Sequence, residues 1–448
     1  MRKIIIILLA AVLFLLIAVP CACAEGKDTA GMEAPRVYIM NDSEEREWAE
    51  ILGFSKPLEN ILTSRSYPSL ADLLRECQPD FFEIYTYQYG SPRDLYLDGL
   101  IEPFEPTEAM TAEIESMAPY VRTAIRNELM TPDGKMLGYP STDYSICEAP
   151  EFIGYWIPDA WAASPFRETA PPSSFEELLD FIDVYLDTPH NGFRLFYAGS
   201  KNEYLHQLLL DPLMVSWVVQ CRYAGEPTVF SDPKFIELAC RTQELFRKLL
   251  KEDYRKNVDT SKRYLFAWRQ LGGLSFNGED TFTCANMIPL RITADQPPLI
   301  NLDMKVYCTR QGTPYASHSG ELFETAIKTH VHKRKEVTIY DVWAFPLKPD
   351  LDAMNRYLEK KKAPKYCGYT HEWAESVEAL DRYAVPCMEC SDYIIGTQYA
   401  EFMKAKYDFF MKAEMTAEEF AAELDREYAA AKYDPWDKDI WIVDYNWE

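Results

Sequence analysis

Two short β-type runs with a helical stretch between them constrain this chain more than any other feature. Arg36-Val-Tyr-Ile-Met40 is rich in β-branched and aromatic residues and ends on the turn formers Asn41, Asp42 and Ser43. Leu70, Leu73 and Leu74 then recur at helical spacing between Ser69 and Glu76. Pro79-Asp80 introduces the second run, Phe81-Phe-Glu-Ile-Tyr-Thr86. Strand, helix and strand in that order mark an α/β unit, because an extended run that must be covered on a face alternates with the helices that cover it. A further short strand is expected over Gly134-Lys-Met-Leu-Gly-Tyr-Pro140, bracketed by turn residues.

From about residue 170 the pattern becomes helical. Pro171-Pro172 break the chain, and Ser173 with Glu176 forms a capping box. Phe175, Leu178, Leu179, Ile182 and Leu186 then fall on one face. Asp232-Pro233 is a cap followed by a first-turn proline, leading to Ile236, Cys240, Phe246 and Leu249. Thr416 and Glu419 repeat the capping box before the stripe Phe420, Leu424 and Tyr428. The expected class is therefore α/β with helix in excess. A chain of 448 residues exceeds what one hydrophobic core normally organises, so two lobes are expected. An apolar fraction of 48%, with 14% aromatic, is enough to fill both and excludes disorder.

The N-terminus bears on compartment. Met1, Arg2 and Lys3 precede the uncharged apolar run Ile4 to Val19. Ala22-Cys23-Ala24 then offers the small residues of a cleavage site, and Glu25 opens a polar segment. The pattern reads as an export signal over residues 1–24, against an uncleaved anchor. Lipidation at Cys21 or Cys23 is the third reading, although Ala18 and Pro20 occupy the places where bacterial lipoproteins carry an aliphatic residue. The expected location is the periplasm or the outer face of the cytoplasmic membrane, free or lipid-anchored. Loss of Arg2 and Lys3, with no acid, takes the formal charge from −25 to −27. So acidic a chain repels nucleic acid and anionic membranes, whose binding depends on Lys and Arg. The expected partner is small and neutral, or cationic, or another protein.

Nine cysteines remain after residue 24: Cys77, Cys147, Cys221, Cys240, Cys284, Cys308, Cys367, Cys387 and Cys390. An odd number so widely scattered is no small-domain disulfide framework. Cys387-Met-Glu-Cys390 fits a redox dithiol or half a metal site, but also buried or locally paired thiols, and no second pair completes a zinc site. Enzyme motifs are missing. The chain carries no dinucleotide or phosphate-binding glycine pattern, Gly273-Leu-Ser-Phe-Asn277 lacks the closing glycine of a nucleophile elbow, and His371-Glu372 lacks the second histidine of a zincin. His318, His330 and His332 stand among Lys328, Lys333, Arg334 and Lys335, which favours a solvated basic loop over a metal site. No catalytic residue, cofactor or metal is assigned.

Several segments occur in an order that resembles the extracellular solute-binding proteins of bacterial ABC importers, of the sugar- and oligosaccharide-binding, family 1-like type. They are Gln78-Pro-Asp-Phe-Phe82, Asp98-Gly-Leu-Ile-Glu-Pro-Phe104, Tyr120-Val121 through Asp133-Gly-Lys-Met-Leu-Gly-Tyr-Pro140, and Trp156-Ile-Pro-Asp-Ala-Trp161. Ala170-Pro-Pro-Ser-Ser-Phe-Glu-Glu-Leu-Leu179, Phe230-Ser-Asp-Pro-Lys-Phe235 and Gly312-Thr-Pro-Tyr-Ala316 follow. The resemblance implies a helix-rich, two-lobed periplasmic-binding-protein-like fold of type II, with hinge strands joining the lobes and a ligand cleft between them. One lobe would take residues 35–149 and about 304–346, the other about 150–303 and 347–448. It also implies a monomer that binds no nucleic acid and hands a carbohydrate to permease subunits. A secreted carbohydrate-active hydrolase, or a binding protein for a peptide or other solute, is the alternative.

Aromatic faces stack on the C–H faces of sugar rings, and carboxylates or amides bond their hydroxyls. On that basis the candidate ligand residues are Tyr85 and Tyr87, which alternate with Tyr89 after a core strand; Asp143 and Tyr144, beyond the Gly138-Tyr-Pro140 strand; Tyr155 and Trp156, on the crossing strand; and Trp268 and Trp343. Each has an ordinary packing role as its alternative.

Overall fold

The structure, a computed structural model, describes residues 35–38, 74, 78–86, 91–117, 119–140, 152–196, 205–251, 263–267, 286–301, 304–324 and 404–431. From Arg36 on, these belong to one compact unit.

Among the described residues two four-stranded mixed sheets organise it. The first runs β1 (Val37–Tyr38), β2 (Phe81–Tyr85), β8 (Lys305–Thr309), β3 (Tyr139–Pro140) across its width. Here β1 lies parallel to β2, and β8 is antiparallel to both its neighbours. The second runs β5 (Phe193–Phe196), β6 (Arg263–Ala267), β4 (Gly154–Trp156), β7 (Met287–Ile288), with β5 and β6 parallel and the other pairs antiparallel. The strand expected over residues 134–140 is shorter than its apolar run. Gly134 makes a turn at φ +91°, and Met136 bridges Phe104 and Met130, so only Tyr139–Pro140 reaches the sheet.

Pro79-Asp80 anchors the first sheet. The buried Asp80 carboxylate accepts hydrogen bonds from the Arg36 amide at 2.8 Å and from Thr313 Oγ1 at 2.7 Å, and Arg310 lies 3.6 Å away. One short acid thus ties β1, β2 and the turn after β8 together. Helices α1 (Pro92–Leu97), α2 (Glu108–Glu115) and α3 (Pro119–Glu128) accompany this sheet. Gly99 ends α1 at φ +70°, a left-handed position that a Cβ disfavours, and the Leu100 amide bonds back to Leu95 O. Phe81 and Phe104 pack edge-on to Phe323 at 5.3 and 5.2 Å.

The second sheet is covered by α4 (Pro158–Ala163), α5 (Phe175–Asp187), α6 (Leu205–Ala224), α7 (Pro233–Lys251) and α8 (Ala417–Ala431). The cap of α5 lies one residue later than expected. Ser174 accepts from the Glu177 amide, while the Glu177 carboxylate takes both the amide and hydroxyl hydrogens of Ser173. Two serines in succession leave the register of a capping box ambiguous in sequence. On α7 the Asp232 cap is as expected, but the buried stripe is Phe235, Leu238, Ala239, Thr242, Leu245, Phe246 and Leu249, with Cys240 exposed. The box at α8 forms as read, with Glu419 N–H bonding Thr416 Oγ1 at 3.2 Å and Thr416 N–H bonding Glu419 Oε2 at 2.9 Å.

The buried cluster around the second sheet extends from Ile153 to Leu424 and contains none of the buried side chains of the first sheet. There are thus two cores. The chain enters the second after β3, returns to the first at β8, and supplies the second again with residues 404–431. That last segment is held by a fully buried ion pair, Lys406 Nζ to Asp211 Oδ1 of α6 at 2.8 Å. Phe409 stacks on Phe420 at 4.4 Å, and Phe410 lies 4.1 Å from Phe246 of α7. Among the described residues no helix is long and apolar enough to cross a membrane.

Candidate functional site

The candidate ligand residues that the structure describes lie on two strands, one per sheet. Tyr85 closes β2, its backbone opposite Lys305 at the start of β8. Its place is the C-terminal end of a strand whose body, Phe81 to Ile84, is buried, Glu83 included. Tyr155 and Trp156 lie on β4, among the described residues the first strand of the second sheet in chain order. There β4 sits between β6 and β7, with Tyr155 opposite Ala267 and Met287 and Trp156 opposite Phe266.

Successive strand residues face opposite sides, so Tyr155 and Trp156 diverge. Tyr155 is buried at 1% exposure against Phe152, 5.9 Å between rings, outside the second core cluster. Trp156 is half-buried. Its ring meets Trp161 edge-on at 6.2 Å and so backs onto the second core through the Trp161, Phe181 and Phe266 rings. The Trp161 indole N–H is committed to Thr169 O at 3.0 Å. A tryptophan braced on one side and open in part is a stiff platform, able to stack against a ligand with little loss of side-chain freedom.

Tyr87, Asp143, Tyr144, Trp268 and Trp343 lie outside the described residues, as do Tyr89, Asn41, Asp42, His330, His332, Cys387, Cys390 and the N-terminal segment. His318 ends a short turn, Ala316–His318, and no group of three or more metal-ligating side chains occurs among the described residues. The described thiols are Cys221, Cys240 and Cys308. Burial pushes all three up, that of Cys308 furthest.

A second polar site, at the junction of the sheets, gives no sign in the sequence. Arg222, at the end of α6, forks onto Glu128 at the end of α3: its NH2 group bonds Glu128 Oε2 and its Nε approaches Oε1 at 3.4 Å. Its NH1 group bonds Asp94 Oδ2 of α1 at 2.5 Å. Ser91, the cap of α1, adds a hydroxyl hydrogen bond to Glu128 Oε2 at 2.7 Å. Side-chain exposures are 11% for Arg222, 12% for Asp94 and 5% for Glu128. Two residues earlier on α6, Gln220 donates to Leu290 O at 2.7 Å and Pro297 O at 2.9 Å, on the segment that runs from β7 toward β8.

No protein-family model matches the chain, and no curated protein does. Among solved structures it is similar to one described under xylan utilization by the thermophilic bacterium Caldanaerobius polysaccharolyticus, at 10% identity over 88% of this chain and 99% of that one, TM-score 0.46. It is similar also to a chitin oligosaccharide binding protein, at 14% identity over 88% and 94%, TM-score 0.44. A third is the cyclic alpha-maltosyl-1,6-maltose binding protein from Arthrobacter globiformis, at 12% identity over 90% and 100%, TM-score 0.43. With identities and scores this low, the α/β assignment rests on the sheets and cores described above.

Proposed function

We propose that the chain is an exported, non-catalytic solute-binding protein that captures a small neutral solute, a sugar or oligosaccharide, and presents it to the permease of an ABC importer. The observation that carries this reading is the topology: two cores on two separate mixed sheets, with the chain passing between them after β3, after β7 and again before residue 404. A molecule so built can take a ligand between its sheets and close on it by small rotations in the connecting segments. In this reading one lobe takes residues 35–149 and about 304–346, the other about 150–303 and 347–448, and residues 1–24 are removed on export.

Trp156 and Tyr85 stand at strand positions beside the crossings, where a cleft ligand would be met. Trp156 is the stacking platform, with its rear face braced. Neutral, hydroxyl-rich rings suit such a site, whereas an anion would have to approach an exported chain of formal charge −27.

A thermal-shift screen of the mature chain against xylo-, chito-, malto- and cello-oligosaccharides and short peptides tests the reading. A ligand at 100 times its dissociation constant adds about 2.7 kcal/mol of stability. The expected result is a rise in melting temperature with one oligosaccharide class and none with peptides. A folded protein that no solute shifts overturns the proposal. Release of shorter sugars during incubation would replace it with a hydrolase.

A further inference from the structure

We propose that Arg222 is a clamp between the two cores that fixes the resting relation of the sheets, and so the state from which the molecule closes. The Arg222–Glu128–Asp94 cluster draws its charges from both sides of the molecule. Glu128 and Asp94 belong to helices of the first sheet, and Arg222 to a helix whose buried residues lie in the second core. It also stands beside two of the segments that lead across, the approach to β3 and the stretch between β7 and β8. Ser91-Pro92 lies against Gly138, immediately before β3: a Cβ on Gly138 would stand 3.3 Å from Pro92 Cγ. The Leu137 amide bonds Leu129 O, tying the end of α3 to the same strand. On the other side, Gln220 holds the segment that returns toward β8.

Chemistry suits the role. A guanidinium forked on one carboxylate and bonded to a second fixes angle as well as distance, which a lysine ammonium would not. Buried pairs add little net stability, since desolvation offsets their attraction, but a misaligned one leaves charges uncompensated. Such a cluster is a poor glue and a good register pin. By contrast the buried pair Asp211–Lys406 joins two segments that both supply the second core, α6 and residues 404–431. It serves as the internal control.

The clamp is read without ligand, on the mature chain, by small-angle X-ray scattering and amide hydrogen exchange. It rests on the hinged reading above only for its bearing on closure, so an inert solute screen leaves it standing and its own failure leaves solute binding standing. Arg222→Met should increase the radius of gyration and speed exchange at 127–131 and 219–224 by about tenfold or more, the loss of a charged hydrogen bond or two. The paired substitution Asp211→Leu with Lys406→Met should leave the radius unchanged. Should Arg222→Met not fold, Glu128→Gln with Asp94→Asn removes both negative charges while keeping acceptors in place, and the same increase is expected. A wild-type radius and wild-type exchange in the folded variant overturns the clamp. So does an equal increase in the Asp211/Lys406 control, which would mean general loosening.

Discussion

The Asp211–Lys406 pair permits a quantitative test of how residues 404–431 are held. The groups are 2.8 Å apart, with exposures of 0% and 1%. At an effective dielectric of about 20 their attraction is about 6 kcal/mol. Removing each ion from water costs several kcal/mol, so the intact pair contributes close to nothing net. Truncating one partner is different, because the survivor keeps its desolvation cost without its compensation. Lys406→Met and Asp211→Leu should each therefore lose about 3–5 kcal/mol, while the double substitution should be neutral or stabilising by up to about 4 kcal/mol. A chain with two cores need not unfold in one step. Urea melts followed by far-UV circular dichroism should thus be paired with hydrogen exchange at α8, which this segment contributes to the second core. Single losses below about 1 kcal/mol, the value of a solvated surface pair, would refute the reasoning. Additive losses in the double variant would do so equally, since they would mean the two groups do not sense each other.

Other expectations follow from single sites. Trp156→Ala should abolish the ligand-induced thermal shift while leaving the ligand-free far-UV spectrum unchanged; a retained shift removes this residue from the site. Gly320→Ala should cost about 1–3 kcal/mol in chemical denaturation, because its Cβ would stand 2.5 Å from the Glu105 carbonyl oxygen, which backbone must move to relieve. In timed alkylation read by mass spectrometry, exposed Cys240 should react before Cys308, whose thiol is wholly buried and pushed far up by that burial; the reverse order would contradict the packing under Gly138. Burial alone would raise the Asp408 carboxyl, but hydrogen bonds from Lys412 and Lys404 at 3.1 Å outweigh it and hold the group below its usual range. A carboxyl depressed in the folded state stabilises above its unfolded value and loses that contribution as pH falls through the folded one. Exchange protection over 407–412 should therefore weaken on acidification below the usual carboxylate range and not between pH 6 and 8.

How much of this was legible depends on the range of the interaction. Period and caps act within a few residues, so the local signals for β2, α5, α7 and α8 coincide closely with the elements themselves. Where a local signal was degenerate the placement slipped: Ser173-Ser174 offered two caps, and α7 offered Cys240 as readily as Ala239 for its inner face. The strand at 134–140 is shortened to Tyr139–Pro140 for another reason. Its apolar run was real, but Met136 spends it on Phe104 and Met130, partners that no spacing in the sequence announces.

The junction of the sheets is the extreme case. Arg222 lies 94 residues from Glu128 and 128 from Asp94, and each of the three is an unremarkable charged residue near a helix end, where solvated neighbours are the usual expectation. What makes them a cluster is the course of the chain, which leaves the first sheet at β3, returns at β8, and so brings the end of α6 against the ends of α1 and α3. Net charge pointed away from it as well: with 71 acids against 46 bases, most carboxylates must remain solvated, and only the fold selects the two that share a buried arginine. Residues suited to bind a solute show their chemistry in the sequence, as aromatic faces do. Residues that govern how two bodies meet carry no chemical signature of their own and become visible only when both bodies are in place.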